Sequence, residues 1–145
     1  MVRKILLCTD GSEGSLKAAH YTADFARPLQ AEVLLVSIFN PPIGASLWTQ
    51  EILAMDLEDR LDTGETVKER LTKAAAVILT EARISFRIYV ATGDPVHEII
   101  ELAKKERIDM IVLGSRGLGG FGSLLMGSVA DSIAHHAPCP VLIVR

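Results

Sequence analysis

The chain has 145 residues, about half of them apolar (49%), and a formal charge of −3 with acids and bases mixed along its length. That length fits one domain, expected to span residues 1–145, and the apolar share supplies a sizeable core. The charge excludes a general nucleic-acid binder, which would carry a basic patch or stripe, but leaves room for a small anion held by backbone amides.

KILLCT, residues 4–9, is a continuous apolar run stopped by Asp10-Gly11-Ser12 and reads as a strand buried on both faces. A helical pattern follows from Ser15 to Phe25, with Leu16, Ala19, Ala23 and Ala26 on one face and Ser12 or Ser15 as its cap. EVLLVSIF, residues 32–39, is a second buried strand, ended by Asn40-Pro41-Pro42. After a mixed stretch around Trp48, a long helical pattern runs from about Glu51 to Ala82. Its apolar positions are Leu53, Leu57, Leu61, Val67, Leu71, Ala74 and Ile78, with a slip near Gly64 that marks a break or kink. ISFRIYV, residues 84–90, alternates more and reads as a strand nearer an edge.

The next segment is the clearest. Asp94 caps a helix, Pro95 takes its first position, and Val96, Ile99, Ile100 and Ala103 form its apolar face. Lys104 and Lys105 lie near its C-terminus, where the helix dipole favours cations. MIVLG, residues 110–114, is a fourth strand; a helix from about Ser128 to His135 and a last strand, PVLIV at 140–144, complete the chain. Strands and helices alternate throughout, so the expected fold is a doubly wound α/β domain with a five-stranded, largely parallel sheet.

No run reaches the roughly 20 apolar residues of a membrane span, and the opening MVRKILLCTDGSEG lacks the apolar length and cleavage site of a secretory signal. Cys8 and Cys139 belong to no CxxC pair and read as small buried hydrophobes or structural residues. The expectation is a reduced, cytoplasmic protein with no membrane partner. None of His20, His97, His135 and His136 has metal-ligand spacing to another His or Cys, beyond the adjacent pair, and no Ser-His-Asp arrangement is legible.

Between the fourth strand and the last helix lies VLGSRGLGGFGSLLMGSVAD, residues 112–131, dense in glycine. Gly117-Leu118-Gly119-Gly120-Phe121-Gly122 satisfies the dinucleotide fingerprint G-x-G-x-x-G, but it follows the fourth strand and no acidic residue ends the next strand to hold a ribose. No Gly-Lys-Ser/Thr is present either, so a Walker A loop is excluded. A second spacing remains: Gly114, two residues, Gly117, nine residues, then Gly127-Ser128. Gly114 and Gly117 let the chain turn, Gly127 allows close approach, and Ser128 adds a hydroxyl. Val129 and Ala130 offer amides at a helix N-terminus, which with the helix dipole suits a phosphate. Arg116 can add a charge-assisted contact. The residues alone leave two readings open, a phosphate cradle or a long surface loop.

Three segments carry a family resemblance: ILLCTDGSEGSLKAAHYTADFA, GDPVHEIIELAKKERIDMIVLGSRG and GSVADSIAHHAPCPVLIVR. On these the chain resembles the universal stress proteins, whose ATP-binding members carry G-2x-G-9x-G-(S/T); Gly114, Gly117, Gly127 and Ser128 match it without a gap. The resemblance implies the sheet order 3-2-1-4-5, which sets the ends of strands one and four side by side at a topological switch point. It implies that Asp10 lies by the ribose and phosphates of ATP, where it can help hold Mg²⁺, and that the backbone of Ile38 meets adenine. Gly119, Gly120 and Gly122 are expected to give the insert mobility without touching the ligand. The resemblance also implies a homodimer through the last strand, whose apolar edge would otherwise stand unpaired. No base for activating water is evident, so no catalytic residue is assigned. The expected role is an ATP-binding regulatory module of a stress response, with a slow ATPase or a scaffold that binds no nucleotide as the alternatives.

Overall fold

The computed structural model describes residues 1–39, 66–116 and 126–145. In chain order these form β1 (Lys4–Cys8), α1 (Glu13–Leu29), β2 (Glu32–Phe39), α2 (Val67–Glu81), β3 (Phe86–Thr92), α3 (Pro95–Glu106), β4 (Met110–Gly114), α4 (Ser128–His136) and β5 (Val141–Val144). The strands make a sheet of order β3-β2-β1-β4-β5, and every pairing in it is parallel. The doubly wound α/β fold and the order 3-2-1-4-5 are therefore as expected, and the alternating ISFRIYV segment does form an edge strand. Trp48, the expected helix from Glu51 to residue 65, Gly117 and the G-x-G-x-x-G stretch lie outside the described residues.

The central strands are apolar on both sides because both faces are covered. Ile5, Leu7, Val33, Leu35 and Val112 pack beneath α1 and α2 with Ala18, Ala19, Ala23, Ala75 and Leu79. Leu6, Leu34, Val36, Ile111 and Leu113 pack beneath α3 and α4 with Ile99, Leu102, Ala130 and Ile133. Ile5, Leu6 and Leu7 lose all solvent contact, a gain of roughly 1.5–3 kcal/mol for each such side chain. Alternation along each strand thus feeds two cores.

Local signals account for the helix starts. Ser12 caps α1 by accepting the Ser15 amide (3.3 Å), and Asp94 caps α3 by accepting the His97 amide (2.8 Å) ahead of Pro95. A cap of this kind is worth about 1 kcal/mol. Helix α1 extends beyond the expected 15–25 in both directions, taking Pro28 into its last turn. Helix α2 opens on a capping box that sequence reading missed: Thr66 accepts the Glu69 amide (3.1 Å) while Glu69 accepts the Thr66 amide (2.8 Å). Its apolar face differs from expectation at Ala74. Ala74 is exposed and Ile78 half-buried, whereas Thr72, Ala75 and Leu79 are buried. Ile78 still packs against the core, beside the buried Ala75 and Leu79 and the alanines of α1.

Candidate functional site

The sheet order brings the ends of β1 and β4 together, and three chain segments meet there. The turn after β4, Ser115-Arg116, lies between the N-termini of α1 and α4. On one side Gly114 abuts the first turn of α1: a Cβ on it would come within 2.8 Å of the Gly14 carbonyl carbon and 3.1 Å of the Ser15 nitrogen. Gly14 answers in kind, since a Cβ there would lie 3.1 Å from the Arg116 carbonyl oxygen. On the other side the Gly127 amide donates to the Ser115 carbonyl (2.7 Å). Glycine at 114 and 14 is thus a matter of backbone packed on backbone.

Gly127 has the same character. A Cβ on it would be 3.1 Å from the Ser115 carbonyl oxygen and 3.4 Å from the Arg116 Cα. Its missing side chain lets the start of α4 close onto the turn after β4, which adds a structural cause to the close approach expected for it. As the N-cap of α4 it supplies no side-chain hydrogen bond. The amides of Ser128, Val129 and Ala130 precede the first intrahelical bond, from Asp131 to the Gly127 carbonyl (2.9 Å), and so have no acceptor within the helix. At α1 the amides of Glu13 and Gly14 stand in the same position, while the Ser15 amide goes to Ser12. Two helix N-termini, each carrying the positive end of its dipole, therefore flank one turn.

The loop from β1 to α1 is held by its own polar groups. The Asp10 Oδ1 accepts the Ser12 amide (2.9 Å), and the carboxylate is exposed. Gly11 has φ +79°, a left-handed conformation costly for other residues. Thr9 and Ser15, 5% and 4% exposed, place their hydroxyl oxygens 3.3 Å apart. Cys8, just before this loop, is partly buried, and its thiol is pushed up to about 12 by desolvation, with the Asp10 charge adding to the rise. Cys139 is raised in the same direction, first by burial.

Of the expected site residues, Asp10, Gly114, Arg116, Gly127, Ser128 and Val129 are on these converging segments. Arg116 is half-buried, and Ser128 and Val129 are exposed. Ile38 is near the end of β2, paired in register with Ala91, and packs partly into the core beneath α3 and α4. Gly117 lies outside the described residues. Sequence reading gave Thr9, Gly14 and Ser15 no part in the site, although Thr9 ended the first strand and Ser15 was a candidate helix cap. The signal for the first and last was Thr9-x₅-Ser15, two hydroxyls flanking a loop; Gly14 carried none. The exposed Asp10 oxygen is a hard donor of the kind Mg²⁺ takes, and the flanking amides suit phosphate oxygens. The donor set therefore fits a magnesium nucleotide. Among the described residues no group of three or more His, Cys, Asp or Glu is arranged to hold a metal by itself, and no helix is long and apolar enough to cross a membrane.

A doubly wound sheet with glycines packed backbone on backbone at its switch point defines the class of fold. The family is settled by comparison: the model described as "Universal stress protein family" matches residues 1–145, and the chain belongs to that family. Universal stress protein YxiE of Bacillus subtilis is 31% identical over 149 residues, covering all of both chains, and a universal stress protein of Thermus aquaticus is 32% identical over 148 residues, again covering both fully. Among solved structures, a universal stress protein in complex with cAMP matches with TM-score 0.69 at 23% identity, covering 99% of this chain and 97% of that one. The Arabidopsis thaliana family member with AMP bound matches at 0.65 and 21%, covering 98% and 90%. The Archaeoglobus fulgidus protein in complex with dAMP matches at 0.69 and 18%, covering 100% and 98%. At these identities the solved structures speak for the fold.

Proposed function

We propose that this chain is an ATP-binding member of its family, a regulatory module that takes adenine nucleotide with Mg²⁺ in the cleft between the ends of β1 and β4. The observation that carries the reading is the convergence of two helix N-termini on the Ser115-Arg116 turn, sealed by the 2.7 Å bond from the Gly127 amide. Such a convergence offers a polyphosphate more amides than one helix supplies. Related folds that hold cAMP, AMP and dAMP support the adenine part of the reading.

In this reading the α4 amides, with Ser128 and Val129, receive the phosphates, and Arg116 adds charge from the turn. Asp10 faces the ribose and phosphates and shares the Mg²⁺, which when bound neutralises phosphate charge. The backbone of Ile38 meets the adenine. Gly117 completes the motif by its place in the sequence. The chain acts in the cytoplasm as a homodimer joined through β5, an edge strand of the described sheet that pairs only with β4.

The test is to strip the purified protein of bound small molecules by denaturation, identify them by mass spectrometry, refold it and titrate with MgATP. Saturable binding is expected. Gly127→Val should abolish it, because a branched side chain pressed on Ser115 moves the α4 amides off the turn. Undiminished affinity in that variant would remove the site from this cleft. Sedimentation equilibrium across a range of protein concentrations reads the dimer, and a monomer throughout would remove the β5 interface.

A further inference from the structure

Thr9 takes part in three anchors at once. Its amide donates to the Val36 carbonyl on β2 (2.8 Å), its hydroxyl oxygen accepts the Gly11 amide (3.4 Å), and the same hydroxyl meets Ser15 on α1 (3.3 Å). The direction of the last contact follows from proton count. A hydroxyl has one hydrogen to give, and Ser15 gives its own to the Ser12 carbonyl (2.9 Å). Thr9 is therefore the donor and Ser15 Oγ the acceptor. The result is a one-way chain from the Gly11 N–H through Thr9 and Ser15 to the Ser12 C=O, in which each bond polarises the next.

This chain holds the loop from within, where Asp10 holds it from outside through the Ser12 amide. The Gly11 amide shares a peptide plane with the Asp10 carbonyl. Fixing that plane fixes the direction in which the Asp10 backbone enters the loop. Both residues are more than nine-tenths buried, so solvent is a poor substitute if either hydroxyl is removed.

We infer that Thr9 is a positioning residue for the candidate nucleotide site: its hydroxyl relay orients the Asp10–Gly11 peptide and hence the Asp10 carboxylate. The inference rests on the nucleotide reading above. It assigns to Thr9 no contact with the ligand.

The experiment measures MgATP affinity by calorimetry for the wild type, Thr9→Val and Thr9→Ser, each in the native and the Asp10→Asn background. Thr9→Val keeps the shape and loses the hydroxyl, and it should weaken binding by about threefold to tenfold, the worth of one neutral hydrogen bond. Thr9→Ser should restore affinity. In the Asp10→Asn background the Thr9→Val loss should shrink, since there is no longer a carboxylate to orient. An equal loss in both backgrounds, or none in either, overturns the inference. Amide exchange in the nucleotide-free protein is the second readout. The wild-type Gly11 amide should be protected, and Thr9→Val should speed its exchange selectively; a fast-exchanging Gly11 in the wild type overturns the relay even if the variant does not fold. A wild type that binds no MgATP ends the nucleotide reading and the role of Thr9 in it, and Gly11 exchange then reports on the relay alone.

Discussion

The two ends of the parallel sheet are finished in opposite ways. At the N-terminal ends of the strands, charged side chains do the joining. Asp109 Oδ2 accepts the amides of both Arg3 and Lys4 (2.9 Å each), Lys4 Nζ donates to the Glu106 carbonyl (3.3 Å), and Arg87 bridges Glu32 (2.8 Å) and Glu106 (3.1 Å). At the C-terminal ends, around 9–15, 114–116 and 126–128, backbone meets backbone through Gly14, Gly114 and Gly127. One end is tied together by charged side chains. The other leaves helix amides without an intrahelical acceptor, at the strand ends where open α/β sheets generally bind ligands.

The largest break in this contrast should come from Gly114→Ala. Its Cβ would sit 2.8 Å from backbone that cannot rotate away, so β4 and α1 must separate. Overpacking of this kind costs roughly 1–3 kcal/mol, read as a lower urea midpoint, and MgATP affinity should fall with it. An unchanged midpoint would mean that the contact is looser than the backbone geometry implies.

Asp109→Asn tests the opposite end and should have a smaller effect. The Arg3 and Lys4 amides hold the Asp109 carboxyl below its usual value, with the N-terminal and Lys4 charges adding. A carboxyl lowered in the folded state contributes stability that is present above its unfolded pKa of about 3.9 and lost as pH falls through the folded value. Wild-type stability should therefore drop on acidification below about pH 4 more steeply than that of Asp109→Asn, as measured by urea midpoints across pH. Parallel curves would remove Asp109 as a contributor. MgATP binding at neutral pH should be unaffected, which sharpens the division between the ends.

The smallest effect belongs to Arg87→Ala. Both of its ion pairs are on the surface, with the arginine side chain 54% exposed, and such pairs contribute little. The urea midpoint should not move measurably. A clear drop would show that the N-terminal end behaves as a coupled network.

The same contrast explains what could be read in advance. Chemical type and spacing are local, so KILLCT, EVLLVSIF and MIVLG declared their strands, and Asp94-Pro95 declared a helix start. The face of α2 was less legible, because apolar residues lie on several rows along it and packing against both α1 and the sheet selects Ala75 and Leu79. Among the site residues, Gly114 and Gly127 stood out by spacing. Gly14 and Thr9 did not, since their partners are Arg116 in one case and Ser15, Gly11 and Val36 in the other.

Periodicity and punctuation along one chain determine which segments are strands and helices, and alternation of the two implies a parallel sheet. They say nothing about which glycine touches which backbone, because that contact is made between residues a hundred positions apart, as with Gly14 and Gly114. The tertiary structure alone decides that the Ser115-Arg116 turn lies between two helix N-termini. It does so because the order β3-β2-β1-β4-β5 sets β1 beside β4, and a close approach of main chains depends on where the strands lie, not on which residues precede or follow them.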